Sequence, residues 1–397
     1  MNVLFDLGAI KTGGGVQLAV NFLSLLDRQK ASHVNIFLVI PEIGELSKLT
    51  LRGKYSDVFV SPNPFMKRFL FEYGYLQRQI RLHKIHHIFT FFGSGLPHPS
   101  TVRSVVTVAY PVICYPESDY WNYASMKDQV YIRLLNLLRR SRLKKASRII
   151  AETTVMRSRL AQSIRYPLEK IVVVPPTPSQ YVKPLVGQRR VPSRRFLFIS
   201  DTSSHKNLWR LPAIAECILE RGITEFMFVL TCTRESYIKS LKTPITSEGL
   251  IDAHFTFLGS IPPQRIMEAY NQADIVVLLS DLESFSSNYM EAWSVRLPLV
   301  VSDRDFTRNI CAGSALYVDP HQPNDVAEQL ILVSEDLDLQ NRLVKAGEER
   351  LSLLPSPQQR LSRIMRELLG EKDELENDIH LAIQEPLTTC ESRVSAR

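Results

Sequence analysis

The sequence lacks any apolar run long enough to cross a membrane, because its runs reach about eight residues and a spanning helix needs about 18–20. Cysteine is scarce, with five scattered residues and no CxxC pair, which argues against a disulfide framework and a structural zinc site. The nine histidines include the pair His86-His87 but no HExxH motif, so we expect no metal. A basic leader is also missing, and we therefore expect a cytoplasmic protein whose first residues form a strand.

What is present describes an ordinary globular protein. The 397 residues are 45% hydrophobic and 22% charged, and a chain of this length favours two domains over one core. Its net charge of +7 is compatible with anionic partners. Short apolar runs alternate with amphipathic segments almost throughout, a pattern typical of α/β layers with parallel sheets. The predicted strands are Val3–Asp6, Val34–Ile40, Asp57–Ser61, Ile88–Phe92, Val102–Val108, Arg148–Ala151, Ile171–Val174, Phe196–Ser200, Phe226–Thr231, Phe255–Leu258, Ile275–Leu279, Leu299–Ser302 and Leu316–Val318.

A break in this alternation predicts the domain boundary. The stretch from Pro175 to Arg195 holds five prolines and five basic residues and has no apolar periodicity, so it favours an interdomain linker. The same α/β pattern on both sides predicts two facing Rossmann-like domains with a ligand cleft between them. We predict a first domain at 1–178, a linker at 179–195, a second domain at 196–355, a helix at 356–371 that could return to the first domain, and a tail at 372–397.

The segment from Asp281 to Trp293 is the most informative stretch of the chain. It follows the predicted strand at Ile275–Leu279 and carries two carboxylates, Glu283 and Glu291, on either side of a serine-rich turn. Ser286 or Ser287 is a natural N-cap, and the helix N-terminus that follows would favour an anion. Glu291 could accept hydrogen bonds from ribose hydroxyls, and Glu283 could do the same for a hexose. The alternative is that both are ordinary surface glutamates.

Two further loops follow strands and could face the same cleft. Lys206, in the loop Ser203–Asn207 after the first strand of the second domain, could pair with a diphosphate, or it could be a solvated lysine. The glycines Gly13, Gly14 and Gly15 follow the first strand of the chain and let a backbone approach a ligand closely. They match neither GxGxxG nor a P-loop, and a flexible strand–helix turn is the alternative.

One predicted helix is unusually basic. Residues 131–148 hold seven lysines and arginines and no acid, with leucines interleaved. A basic amphipathic helix can lie on an anionic membrane surface, and the alternative is a solvated face over the first sheet. Nucleic acid is not an expected partner, because no helix-turn-helix, zinc-finger or RNP pattern accompanies the charge.

Taken in order, these segments resemble the retaining glycosyltransferases of family 4, which have the GT-B fold. The resemblance rests on Glu283-x7-Glu291, on Pro298–Ser302 with Ala315–Pro320, on His205-Lys206-Asn207, on Lys170–Pro176 and on the Gly13-Gly14 turn. It covers roughly residues 1–370. It implies a nucleotide-diphosphate-sugar donor as substrate, no cofactor and no metal, since cationic groups and helix dipoles carry the charge of the leaving diphosphate in such sites.

The resemblance also assigns roles. Lys206 would bind the diphosphate beside Asn207, Glu283 the hydroxyls of the transferred sugar, and Glu291 the ribose. Backbone groups of Phe285 and Ser286, with Ser287 at the helix start, would meet the phosphates, and the turn that contains Ile261 would contact the base. The acceptor would bind near Gly13–Gly15 and Tyr110.

The chain also departs from the family pattern at three places. Ser284 and Ser286 stand where members often have glycine, Ser200-Asp201 where many have an arginine, and Ala109-Tyr110-Pro111 where many have a histidine. The third departure agrees with a front-face mechanism, in which the departing phosphate takes the acceptor proton and no protein base is needed.

We therefore expect a retaining transferase that moves a sugar to a glycan or lipid-linked acceptor in cell-envelope polysaccharide synthesis. It would be cytoplasmic and peripheral at the inner face of the membrane, which it would contact through the basic helix 131–148. Two alternatives stay open: a non-catalytic nucleotide-sugar-binding partner subunit, and another GT-B enzyme such as a nucleotide-sugar epimerase or a phosphorylase.

Overall fold

The computed structural model describes residues 1–11, 14–28, 34–51, 53–185, 187, 191–242 and 248–370. Gly13 and the predicted tail at 372–397 therefore lie outside the described residues. In the part that is described, no helix has both the length and the apolar character needed to span a bilayer.

Seven strands form the first sheet, and every pairing between them is parallel. The spatial order is β3-β2-β1-β4-β5-β6-β7, so the direction of winding reverses between β1 and β4. Ligands of such sheets bind where the order reverses, outside the carboxyl ends of the strands. The strands are β1 (Asn2–Asp6), β2 (Asn35–Pro41), β3 (Asp57–Ser61), β4 (His87–Thr90), β5 (Arg103–Thr107), β6 (Arg148–Ala151) and β7 (Ile171–Val173).

A second parallel sheet has six strands in the order β10-β9-β8-β11-β12-β13. Its reversal lies between β8 and β11, which pair directly. The loops after these two strands carry Lys206 and Glu283, so sheet topology brings them to the same edge. The strands are β8 (Arg195–Phe198), β9 (Met227–Leu230), β10 (Phe255–Phe257), β11 (Ile275–Leu278), β12 (Leu299–Ser302) and β13 (Ala315–Val318).

Helices cover both faces of each sheet, and buried aliphatic and aromatic side chains fill the layers between them. The helices are α1 (Gly14–Arg28), α2 (Phe65–Leu70), α3 (Leu76–Leu82), α4 (Tyr120–Tyr123), α5 (Met126–Leu143), α6 (Thr154–Ile164), α7 (Leu211–Glu220), α8 (Arg234–Ser240), α9 (Glu248–His254), α10 (Met267–Tyr270), α11 (Ser287–Val295), α12 (Asp305–Cys311), α13 (Pro323–Glu335), α14 (Leu337–Ser352) and α15 (Pro357–Leu369). A π-helical turn (Phe71–Tyr75) joins α2 to α3.

The chain crosses between the two domains twice. It leaves the first domain after β7, and Val182 already packs in the core of the second domain. It returns through α15, whose Leu361, Ile364 and Leu368 are buried in the core of the first domain. Arg360 of α15 is buried and donates from Nε to the carbonyl oxygen of Pro175 at 3.1 Å. One hydrogen bond therefore fastens the two crossings to each other.

The strand and fold predictions agree with this architecture. Each predicted strand overlaps an observed one, and β3, β6 and β12 have the predicted bounds. Several helices were not predicted individually, and α14 is the longest of them. It follows α13 after a single residue, Asp336, which caps it by accepting a hydrogen bond from the backbone of Leu339 at 2.8 Å.

Candidate active site

A cavity of about 620 Å³ lies between the domains, where the carboxyl edges of the two sheets face each other. The first domain contributes loops after β1 and β5, the end of β6 and the start of α1, and the second contributes the loop after β11 and the start of α11. The lining residues are Ala9, Ile10, Lys11, Gly15, Leu18, Asn21, Phe92, Ala109, Tyr110, Glu152, Pro176, Thr177, Pro178, Ser179, Glu283, Ser284, Phe285, Ser286, Ser287, Asn288, Met290 and Glu291.

Lys206 and Glu283 form an ion pair at the edge of this cavity. Lys206 ends a short 3-10 turn after β8, and Glu283 lies in the loop after the neighbouring β11. Both side chains are largely shielded from solvent, which strengthens their attraction relative to a surface pair. The pair places a cation suited to phosphate beside a carboxylate suited to sugar hydroxyls.

The N-terminus of α11 opens onto the cavity. Ser286 is the N-cap by its extended backbone conformation, and among the described residues no side chain bonds the first turn as a cap. Phe285, Ser287 and Asn288 line the cavity beside it. The first backbone N–H groups of a helix lack partners within the helix, and the helix dipole favours an anion there. This end of α11 is therefore suited to hold phosphate oxygens.

Glu291 lies one turn further along α11 and is almost fully buried, although it contributes to the cavity lining. The hydroxyl of Tyr270 donates to its Oε2 at 2.9 Å. Burial raises the pKa of Glu291 to about 7, and this hydrogen bond opposes the rise only in part. One carboxylate oxygen is thus fixed by the protein, and the group can accept further hydrogen bonds from a ligand.

Asp281 fixes the loops after β8 and β11 on the side away from the cavity. Its side chain is fully shielded and accepts hydrogen bonds from Asn207 at 2.7 Å, Arg304 at 2.7 Å, His321 at 3.0 Å and Tyr123 at 3.0 Å. Burial opposes ionisation, but the bonds from Asn207, His321 and Arg304 outweigh it and keep the pKa of Asp281 below its ordinary value. Since Tyr123 belongs to the first domain, this carboxylate also links the domains.

The same carboxylate belongs to the described cluster that is nearest in arrangement to a metal site. Asp119, Asp281 and His321 each offer a ligand atom, and these atoms lie within 4.8 Å of one another. However, Arg304 bonds Asp281 directly and lies 3.7 Å from Asp119. A guanidinium supplies the positive charge that two carboxylates require, so we assign this cluster a structural role.

Glu152 is a site residue that the sequence reasoning missed. It follows β6 directly, lines the cavity from the first domain and is buried. Ser284 reaches across the cleft and donates from Oγ to its Oε2 at 3.2 Å. Burial raises the pKa of Glu152 to about 7, against the opposing effects of Arg360 and Ser284. Its place at the carboxyl end of a strand, the criterion applied to Lys206, could have identified it.

The predicted site residues are distributed unequally around the cavity. Seven of them line it directly, and Lys206 reaches its edge through Glu283. Asn207 is fully buried, and its amide donates to Leu279 and Asp281, so its side chain joins two loops. Ile261 packs with the apolar core beneath α11. The seven are Gly15, Tyr110, Glu283, Phe285, Ser286, Ser287 and Glu291.

Two positions of the first-domain wall need separate mention. Gly14 is the first residue of α1, and Gly13 precedes it outside the described residues. Tyr110 donates from its hydroxyl to the carbonyl of Phe92 at 2.9 Å, and the Arg139 guanidinium lies 4.3 Å from the centre of its ring. Burial raises the pKa of Tyr110 above its ordinary value, although Arg139 and Arg68 oppose this. Tyr110 thus connects the cavity to the helix α5 behind it.

Comparison with known proteins identifies the second domain. Residues 188–350 match the family described as "Glycosyl transferases group 1". No curated protein matches the chain significantly. Solved structures of similar fold include the Anabaena protein HepE in complex with UDP and glucose, at 17% identity and a TM-score of 0.65, with 93% of this chain and 100% of that chain covered.

Two further solved structures have a fold similar to that of this chain. Sucrose-phosphate synthase from Thermosynechococcus elongatus is 15% identical, with a TM-score of 0.68 over 94% of this chain and 100% of that chain. WaaG, a glycosyltransferase involved in lipopolysaccharide biosynthesis, is 12% identical, with a TM-score of 0.68 over 93% of this chain and 100% of that chain. At such identities the likeness concerns the fold alone. The chain has the GT-B fold, as predicted, and residues 188–350 match the glycosyltransferase group 1 family.

Proposed function

We propose that this protein is a retaining glycosyltransferase that moves a sugar from a nucleotide-diphosphate sugar to a glycan or lipid-linked acceptor. The observation that carries the proposal is the arrangement of Lys206, Glu283, the N-terminus of α11 and Glu291 along one wall of the cleft. Glu283 offers a hydroxyl acceptor, Lys206 and the N-terminus of α11 offer positive charge for an anion, and Glu291 offers a second hydroxyl acceptor, which suits the sugar, diphosphate and ribose of such a donor.

In this proposal the residues act on the departing diphosphate. Lys206 and the backbone N–H groups of Phe285–Ser287 neutralise its developing charge, so that no metal is needed. Glu283 orients the transferred sugar, and on binding it exchanges part of its contact with Lys206 for sugar hydroxyls. The bond from the anomeric carbon to the phosphate breaks as the acceptor oxygen approaches from the same face, and the phosphate takes the acceptor proton. Family 4 membership, retention and a role in cell-envelope polysaccharide synthesis all belong to the proposal.

The HepE structure supports the donor class, because HepE has the same fold and is in complex with UDP and glucose. WaaG supports the acceptor class in the same way, through its role in lipopolysaccharide biosynthesis. The first-domain wall, with Gly15, Tyr110 and Glu152, would meet the acceptor. Its polar groups suit a hydroxyl-bearing molecule.

Nucleotide release tests the proposal. The protein is incubated with a panel of nucleotide sugars and a crude glycolipid extract, and released nucleotide is measured. Glu283→Ala and Lys206→Ala should each lower release by about 100-fold or more, as expected for groups that stabilise a transition state. The matched control is Glu268→Ala, which removes an exposed glutamate paired with Arg265 on the same domain. The anomeric configuration of the product, determined by NMR, tests retention.

The alternatives predict other outcomes. Nucleotide-sugar binding without release, for every donor and acceptor, would replace the transferase by a non-catalytic binding subunit. Conversion of the donor to an epimeric sugar, without an acceptor, would indicate an epimerase. Equal losses of nucleotide release in Glu268→Ala and Glu283→Ala would contradict the assignment of the site to Glu283.

A further inference from the structure

The segment formed by α2 and the π-helical turn after it is inverted relative to an ordinary surface helix. Its ion pair lies on the inner side: Glu72 is buried and pairs with Arg68 at 2.7 Å, whereas Lys67 is exposed. Its apolar residues Phe65, Met66 and Leu70 point outward and are 50–66% exposed. A helix of a water-soluble surface shows the opposite pattern, so something other than water is expected to cover this one.

The helix α5 shows the same inversion. Asn136 is buried and Arg139 packs inward over the ring of Tyr110. Five of its exposed positions are apolar and recur along the helix from the first turn onward, with Lys127, Asp128 and Arg133 exposed among them. The five apolar positions are Met126, Val130, Tyr131, Leu134 and Leu137.

These two inverted segments lie side by side. Arg142 of α5 bonds Glu72 at 2.7 Å, and its guanidinium lies 5.3 Å from the centre of the Tyr73 ring. We call their combined outer surface, residues 65–75 and 126–137, the apolar face. Of the nineteen large hydrophobic side chains that are exposed among the described residues, ten lie within the apolar face. The exposed apolar groups are therefore concentrated in one part of the first domain.

Charge around the apolar face indicates the kind of partner. Residues 63–84 and 126–145 together hold twelve lysines and arginines and two acids. This excess exceeds the net charge of +7 of the whole chain, so the remainder is net acidic. Four of these basic residues, Arg68, Arg139, Arg140 and Arg142, are engaged inside the domain. Exposed lysines such as Lys67, Lys127, Lys144 and Lys145 border the face. Protein interfaces are depleted in lysine, whereas an anionic bilayer attracts it.

We propose that the apolar face docks this protein on an anionic phospholipid bilayer by shallow insertion of its outward hydrophobic side chains. The docking mode differs from the basic helix expected from the sequence. Arg139 and Arg142 are engaged inside the domain, and Arg140 donates to the Ser163 hydroxyl at 3.3 Å. Apolar side chains therefore enter the bilayer, and the bordering lysines meet its headgroups.

The apolar face is also close to the cleft, because Arg139 of α5 packs on Tyr110, which lines the cavity. If the proposed transferase function holds, docking would bring the first-domain wall of the cleft, where the acceptor would bind, close to the lipid headgroups. Bilayer binding itself does not depend on that function.

Sedimentation with phospholipid vesicles tests the docking. The full chain is mixed with vesicles of phosphatidylcholine alone or with one third phosphatidylglycerol, and bound protein is measured. The combined variant Met66→Gln, Leu70→Gln, Leu134→Gln and Leu137→Gln should bind the anionic vesicles at least about tenfold more weakly, because each exposed apolar group contributes to insertion. The matched control changes Leu332, Leu337 and Leu353, exposed leucines of the second domain, to Gln and should bind as the unaltered chain does.

A charge variant separates the two contributions. Lys144→Glu with Lys145→Glu should weaken binding to anionic vesicles by about tenfold at low salt and leave binding to neutral vesicles unchanged. The proposal is overturned if the unaltered chain does not sediment with anionic vesicles, or if the apolar and control variants bind alike. It is also overturned if the apolar variant converts a dimer to a monomer in light scattering while vesicle binding is absent.

Nucleotide release with a soluble acceptor should be unchanged in the apolar variant. Loss of vesicle binding with normal nucleotide release therefore tests the docking surface alone. Absence of nucleotide release in the unaltered chain contradicts the proposed function and leaves the docking proposal unaffected.

Discussion

The two walls of the cleft are built in different ways. The second-domain wall takes its polar groups from one continuous stretch, 281–291, and from Lys206 on the adjacent loop. The first-domain wall collects Gly15, Tyr110 and Glu152 from three separate places in the chain. Each wall contains a buried glutamate, but Glu291 is bonded within its own domain by Tyr270, whereas Glu152 is bonded across the cleft by Ser284. Similar carboxylates therefore have different partners: Glu291 is held within its own domain, and Glu152 is held by the opposite domain.

The largest effect should come from the carboxylate behind the second-domain wall. Asp281→Ala leaves Asn207, Arg304 and His321 without their buried acceptor, so we expect a loss of about 3–5 kcal/mol in the free energy of unfolding. Asp252→Ala, which removes an exposed partner of Arg234, should lose less than about 1 kcal/mol. Urea unfolding followed by circular dichroism measures both. Similar midpoints for the two variants would show that the wall does not depend on Asp281.

A smaller effect should distinguish Glu152 through pH. Burial raises the pKa of Glu152 to about 7 in the folded protein, from the ordinary value of 4.5 that applies to the unfolded chain. Below pH 4.5 both states are protonated. As pH rises from 4.5 to 7 only the unfolded state releases its proton, so the folded state loses stability.

Glu152→Gln cannot ionise and retains an acceptor for Ser284. It should therefore be more stable than the unaltered chain above pH 7, by on the order of 2 kcal/mol, and equally stable at pH 4. Thermal unfolding across pH 4–8 measures this, with Glu268→Gln as an exposed control. A difference that does not vary with pH would contradict the explanation.

The smallest effect concerns donor affinity. An ionised Glu291 accepts stronger hydrogen bonds from ribose hydroxyls than a protonated one. Binding of a nucleotide sugar, whose diphosphate does not titrate in this range, should therefore strengthen from pH 6 to pH 8 around the pKa of about 7. Glu291→Gln should bind about tenfold more weakly at pH 8 and lose this dependence, whereas Glu152→Gln should retain both. Calorimetry measures the affinities, and equal losses in the two variants would remove the distinction between the walls.

The same difference between the walls explains what the sequence could predict. Strand periodicity located every strand, and parallel topology then placed Lys206 beside Glu283, because the loops after β8 and β11 must meet at one edge. The cavity residues Glu283, Ser286 and Glu291 were found because they lie close together in the chain. Glu152 was missed because its significance depends on Ser284, 132 residues away.

Side-chain direction was the other limit. The segment 131–148 was correctly identified as helical over most of its length, but its arginines were expected to face outward. Their direction depends on Glu72 and Tyr110, which lie on other elements. For the same reason Asn207 was expected to bind the donor, although its amide is used by Leu279 and Asp281. Local patterns indicate which residues are polar, and only tertiary packing decides which way they point.

The bond between Arg360 and Pro175 has a mechanical consequence. The two chain crossings lie side by side and are joined by this hydrogen bond, so together they form a hinge between the domains. Rotation of the domains about this hinge keeps the hydrogen bond, whereas sliding of one crossing along the other would break it. We therefore expect opening of the cleft to separate groups far from the crossings more than groups near them.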